Sequence, residues 1–221
     1  MKIDRVLTGG LVSVALIATL GFDADLVLRR LTRRGGYKSI KCLSIRVDET
    51  SFKRVENAFS TVKFVADKLN IPAEHRYFEP GRGLVRGVLA EVEKEAARGL
   101  VEVYLSGGPR LLVVAALLAT LLVDPAFQEN VTISLEGEGF EGEIKARADW
   151  LKKLLGLGGE EVEIIQYIAG RETAKPSNLV KDLKIPKATA YKKLRKLAEE
   201  GLLEERDGEY ALRREFTDIL F

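Results

Sequence analysis

The sequence predicts an α/β protein in two parts. The first is an open, mostly parallel sheet covered on both faces and finished by a terminal β-hairpin; the second is a small winged helix-turn-helix. Three observations lead there. Through the first two-thirds of the 221 residues, apolar runs of strand length alternate with longer segments of helical period, the pattern of parallel strands joined by crossover helices. These runs show little polar alternation, as strands buried on both faces should. From Glu160 onward the period is helical in shorter pieces and ends in two strand-like segments around a turn.

In chain order, the strand candidates of the first part are Val12–Thr19, Ser39–Arg46, Glu74–Phe78 and Val101–Ser106. Helix candidates lie between and after them, at Ala24–Arg34, Ser51–Leu69, Arg82–Ala97 and Pro109–Val123. Beyond Asp124-Pro125, the segments Val131–Leu135 and Phe140–Ala146 flank Glu136-Gly137-Glu138-Gly139 and read as the closing hairpin. Arg147–Leu155 has helical character, and Gly156-Leu157-Gly158-Gly159 breaks it. The expected division is therefore a sensing domain over 1–146, a linker helix and glycine joint over 147–159, and a winged helix over 160–221.

In the last part, Glu160–Ala169 sets Val162, Ile165 and Ile168 on one face, and Gly170 ends the helix. Pro176 suits the first turn of the next helix, which runs to Leu183. After Lys184-Ile185-Pro186 a third helix extends from Lys187 to Glu200 and stops at Gly201. Leu202–Glu205 and Glu209–Arg213 flank Asp207-Gly208, a strong hairpin-turn signal. Three helices followed by a hairpin is the order of a winged helix, whose third helix enters the major groove of double-stranded DNA.

Composition narrows the function. The chain is 46% apolar and 31% charged, which suits a packed domain rather than a disordered one. With one cysteine, Cys42, and one histidine, His75, it holds neither an intramolecular disulfide nor a Cys/His zinc site. No apolar stretch reaches the length of a membrane span, and a cytoplasmic location is expected. Lys2 and Arg5 ahead of the apolar run Leu11–Leu20 have the outline of a secretory leader, but no small-x-small cleavage site follows and Val and Ile are abundant, so a buried first strand is the better reading.

The net charge of +2 conceals an uneven distribution. Between Lys181 and Lys196 seven basic residues face one acid, Asp182. Leu194 and Leu197 point inward, leaving Lys187, Thr189, Tyr191, Lys192, Arg195 and Lys196 as candidate DNA contacts, the lysines for phosphates and Arg195 or Lys192 for a guanine edge. The wing carries Glu204, Glu205, Asp207 and Glu209 against Arg206 alone, and is expected to stay off the phosphate backbone.

Ligands of open parallel sheets bind at the carboxyl ends of the strands where the strand order reverses. Two loops there have suitable chemistry: Thr19-Leu20-Gly21-Phe22-Asp23 after the first strand, and Ser106-Gly107-Gly108-Pro109-Arg110 after the fourth. Glycines allow close backbone approach, amides at a helix N-terminus attract anions, and Arg110 offers a fixed cationic fork. The absence of a Walker loop and of a G-x-G-x-x-G fingerprint argues against an NTPase or a dehydrogenase.

The segments Thr19–Arg33 (TLGFDADLVLRRLTR) and Tyr104–Leu112 (YLSGGPRLL), together with Lys175–Glu205 (KPSNLVKDLKIPKATAYKKLRKLAEEGLLEE), resemble the CARF-domain transcriptional regulators of archaeal CRISPR–Cas systems. The resemblance implies a homodimeric Rossmann-like domain that binds a cyclic oligoadenylate, with cyclic tetra-adenylate as the expected effector, coupled to paired winged helices. It also implies an antiviral role and no resident cofactor. One departure is Tyr104, at a position where many members carry an acid. Leu111–Val123, apolar almost all round, must be covered either by the core or by a second subunit.

Two alternatives stay open at this point. One is cleavage of the cyclic ligand, with Ser106, Arg110 and Arg82 positioning a ribose hydroxyl in line with its phosphate; the single histidine, expected in or beside the third strand, is poorly placed to serve as base. The other is a regulator that senses an unrelated anionic metabolite.

Overall fold

The computed structural model describes residues 13–137, 142–214 and 216. Two compact units divide between Asp149 and Trp150. In the first, six strands alternate with helices in this order: β1 (Val14–Thr19), α1 (Asp25–Arg34), β2 (Tyr37–Ile45), α2 (Glu49–Lys68), β3 (Ala73–Phe78), α3 (Leu84–Ala96), β4 (Val101–Tyr104), α4 (Arg110–Leu121), β5 (Val131–Glu136) and β6 (Glu143–Arg147). The sheet order is β3-β2-β1-β4-β5-β6. All neighbours are parallel except β5 and β6, the expected hairpin. Val12, at the expected start of the first strand, and Glu138–Glu141, within that hairpin, lie outside the described residues.

Burial explains the continuous apolar strands: Ala15, Leu16, Ile17 and Ala18 are each no more than 1% exposed. Helix α2 starts earlier than its apolar period suggests because Asp48 caps it, accepting from the Ser51 amide at 2.8 Å. Helix α4 has two faces. Leu112, Ala115, Ala116 and Ala119 are buried, while Leu111, Val114, Leu118 and Leu122 stay 44 to 61% exposed. The core therefore covers one side of this apolar helix and leaves a stripe at helical spacing.

Charges buried on both sheet faces tie the layers together. Glu102 on β4 accepts from Arg30 Nε at 2.7 Å and from the Tyr37 hydroxyl at 2.9 Å, and it pairs with Arg34. Arg30 reaches on to Glu136 and Glu143, each at 2.7 Å. Burial pushes the Glu102 carboxyl up, but the Ser134 hydroxyl with Arg30 and Arg34 outweighs that and holds it below the usual carboxylate range. Across the sheet, Lys41 Nζ lies 2.6 Å from Glu91 and 2.9 Å from Glu95 of α3. Cys42 is fully buried, which pushes its thiol up to about 12 and leaves it unreactive.

The second unit holds most of α5 (Ala148–Leu155), then α6 (Gly159–Ala169), β7 (Thr173–Ala174), α7 (Pro176–Asp182), α8 (Lys187–Glu199), β8 (Leu203–Arg206) and β9 (Glu209–Leu212). Strands β8 and β9 form the wing around Asp207-Gly208, both at positive φ (53° and 76°), as a twist-matched two-residue turn requires. The core contains Leu179, Leu194 and Leu197 as expected, but α6 turns Ile164, Ile165 and Ile168 inward and leaves Val162 38% exposed. Spacing of one, three and four residues makes a continuous inward stripe, and the first turn is instead occupied by Glu161, ion-paired with Lys196. Trp150, Leu154 and Leu157, expected within a joint, pack against this core, with the Trp150 ring 5.2 Å from Phe216. Their apolar surface needs that cover.

His75, the single histidine, lies on β3 with its side chain 7% exposed. Its ring lies between Phe59 and Tyr77, at 4.3 and 4.1 Å. Nε2 is 3.0 Å from the Ser44 hydroxyl, whose own proton goes to the Leu20 carbonyl, so Nε2 carries the hydrogen and donates. Nδ1 is 3.3 Å from Glu56 without hydrogen-bond geometry. Burial depresses the imidazole to about 4, against its ordinary 6.5, the nearby Glu56 charge only partly opposing it. Unfolded chains therefore take up this proton near pH 6.5 and folded ones only near 4. Stability measured by thermal unfolding is expected to decline as pH falls across that window, and His75→Phe should flatten the decline there while leaving the carboxylate-driven loss at lower pH.

Candidate functional site

The sheet reverses its winding between β1 and β4, so the connections leaving their carboxyl ends diverge and open a crevice. Helix α1 packs with α2, and α3 with α4, on opposite faces. At the crevice the two loops touch backbone to backbone. A Cβ at Gly21 would lie 2.7 Å from Gly108 Cα, and one at Gly108, where φ is 93°, would lie 3.0 Å from the Leu20 carbonyl oxygen. Only glycine permits this approach at both positions. Side chains pin the crossing: Ser106 Oγ donates to the Thr19 carbonyl at 2.7 Å, and the Gly107 amide donates to Thr19 Oγ1 at 3.2 Å.

A cavity of about 630 Å³ opens beside the crossing. Of the expected ligand residues, Gly21, Phe22, Asp23, Ser106, Gly107, Gly108 and Pro109 line it. Three do not. Thr19 and Leu20 are 1% exposed and serve as supports beneath the loop, because the strand buries them. Arg110 begins α4, outside the lining, with its side chain exposed. Nor does Arg82 line the cavity, so the trio of Ser106, Arg110 and Arg82 does not converge there.

The lining also includes residues that sequence reasoning missed. Asp25, Leu26 and Arg29 come from the first turns of α1, Ile45 from the end of β2, Val47 from the loop after it, and Ser51 and Val55 from α2. Spacing of three and four places Asp25 and Arg29 on one face of a helix that starts at a strand's carboxyl end, a signal that could have found them. Arg29 forms no ion pair among the described residues, so its charge is available to a bound anion. Asp23 is already used: its carboxylate accepts from the Asp25 amide at 2.8 Å and starts α1. Tyr104 sits fully buried below, its ring 5.2 Å from the Arg30 guanidinium carbon; burial and the Glu136 charge push its hydroxyl well above the usual range.

On the second unit, Lys187, Tyr191 and Arg195 follow one another at four-residue spacing along the exposed side of α8, with Lys192 beside them and Thr189 half-buried. Lys187 and Tyr191 border a smaller hollow of about 320 Å³ shared with Ser177, Val180 and Lys181 of α7. Not every base of the segment faces outward alone. Arg195 Nε pairs with Glu199 at 2.8 Å, Lys193 with Glu160 at 3.1 Å, and Lys196 with Glu161 at 2.8 Å. Lys196, expected among the DNA contacts, thus spans α8 and α6, because Glu161 is nearly buried and needs a counter-charge.

Residues 14–147 match the family model described as the Csa3 CRISPR-associated Rossmann-like domain. That is more than half of the chain. The chain belongs to the Csa3 family. Residues 151–216 match the model described as the sugar-specific transcriptional regulator TrmB, which accounts for the winged helix. The chain therefore joins a Csa3 Rossmann-like domain to a TrmB-type regulator domain. No curated protein sequence matches the chain. Among solved structures, the crystal structure of protein VC1899 from Vibrio cholerae aligns at 13% identity and a TM-score of 0.47, over 93% of this chain and 63% of that one. The chain thus spans less than two-thirds of that protein's length.

The crossing makes a direct demand on the Csa3 domain. Gly21→Ala must push the Gly108 backbone aside, since the contact is with main chain rather than a movable side-chain tip. Urea unfolding of the variant is expected to show a loss of roughly 1–3 kcal/mol. Gly107→Ala, with nothing within 4 Å of its added Cβ, should lose far less.

Proposed function

We propose that the protein is a dimeric regulator of CRISPR–Cas genes that binds operator DNA through its winged helix and responds to cyclic oligoadenylate held at the β1/β4 crevice. The observation that carries this reading is the cavity formed by the two glycine loops of a Csa3 domain. Its chemistry suits a nucleotide. The glycine loops let a phosphate approach closely, Arg29, with no ion pair among the described residues, offers it a charge, and the Asp25 carboxylate offers an acceptor for a ribose hydroxyl. Ser106, with its proton committed to Thr19, acts as a brace rather than a nucleophile.

Dimerisation is supported by the stripe Leu111, Val114, Leu118 and Leu122, four apolar side chains left open on α4, and by the exposed cross-strand pair Leu135 and Ile144. Symmetric dimers are also how helix-turn-helix proteins engage paired half-sites. Signal would travel by the chain itself. Strand β6 runs directly into α5, whose Trp150 is built into the winged-helix core. A ligand with unequal affinity for two dimer arrangements would then set the spacing of the recognition helices.

Two measurements test the reading. Operator affinity at fixed salt, with and without cyclic tetra-adenylate, is expected to differ about five- to 150-fold; equal affinities would overturn the regulation by ligand. In the salt dependence of DNA binding, Lys187→Ala and Lys192→Ala are each expected to lower the slope of log affinity against log salt by about 1. Lys196→Ala should leave that slope unchanged and instead lower the melting temperature of the winged helix, since it strands Glu161.

A further inference from the structure

The residues lining the cavity fall into two chemically distinct groups, a glycine pole and an aromatic pole. Gly21, Gly107, Gly108 and Arg29 make the first; Phe22, Ile45, Val47 and Val55 make the second. Phe22 is unusual for a large apolar residue on a loop: it is 49% exposed, yet held in place by Arg54, whose guanidinium carbon sits 3.9 Å from the ring centroid. Phe22 lines the cavity, and Arg54, which does not, stands over one face of its ring. Such a cation–π pairing fixes the ring's orientation and leaves its other surface for a second flat partner.

From this geometry we infer that Phe22, backed by Arg54, is the stacking platform for one base of the bound nucleotide, with Ile45 and Val47 forming the side of that base subsite. The assignment rests on the oligonucleotide reading above and deepens it: phosphates go to the glycine pole, a base to the aromatic pole. Stacking on an aromatic face is tolerant of base identity but grows with ring area. The platform therefore selects purine over pyrimidine and does not separate adenine from guanine.

The test uses the full chain and cyclic tetra-adenylate carrying one 2-aminopurine, whose fluorescence is quenched on stacking. Wild type is expected to bind and quench. Phe22→Leu is expected to weaken binding about ten- to hundredfold with loss of the quench, and Phe22→Trp to restore both. Arg54→Gln should give an intermediate loss. Because residue 22 is half-exposed, an unchanged melting temperature for Phe22→Leu would separate stacking from folding. Binding by Phe22→Leu at wild-type strength with the quench intact overturns the stacking assignment alone. No binding by wild type overturns the oligoadenylate reading and the platform with it.

Discussion

The Csa3 domain depends on one close approach, the passage of Gly21 against Gly108 where the loops leaving β1 and β4 cross. A doubly wound sheet must send its connections to opposite faces at one point, and the gap left there is the natural place for a ligand. Here the gap is narrowed by backbone rather than filled by side chains. Both loops are thereby brought into the lining of the cavity, and Thr19 and Ser106 spend their polar groups keeping them there. A methyl group at either glycine would separate the loops, so the shape of the cavity and the fold of the crossing are the same constraint.

Behind that crossing, the helix that supplies the cavity with Asp25, Leu26 and Arg29 is anchored by its next residue. Arg30 is buried against Glu102 and reaches Glu136 on β5 and Glu143 on β6. Buried ion pairs add little net stability compared with apolar packing, but they are costly to break singly and so define geometry. In this domain the geometry so defined connects the cavity helix to the hairpin.

In the winged helix, the run of basic residues divides its labour. Lys193 and Lys196 hold α8 against α6 through Glu160 and Glu161, while Lys187, Tyr191 and Lys192 remain on the open side. The charge that looked uniform along the sequence is partly structural cement, and the surface offered to a phosphate backbone is smaller than the count suggests. An acidic wing, with Glu204 paired to Arg206, concentrates that surface further on α8.

Much was legible from local rules. Alternating strand and helix periods identified the parallel sheet, Asp207-Gly208 identified the wing turn, and the glycine loops identified the crevice, because backbone conformation and burial leave marks at fixed spacing. The sequence alone could not say that Thr19 and Leu20 are supports, that Arg110 stays outside the lining, or that Arg29, Ile45 and Ser51 complete the wall. It could not pair Glu102 with Arg30 or Glu161 with Lys196, residues separated by 72 and 35 positions. Those choices belong to tertiary structure, since a side chain's partner is set by which elements meet in space, and no local period carries that information.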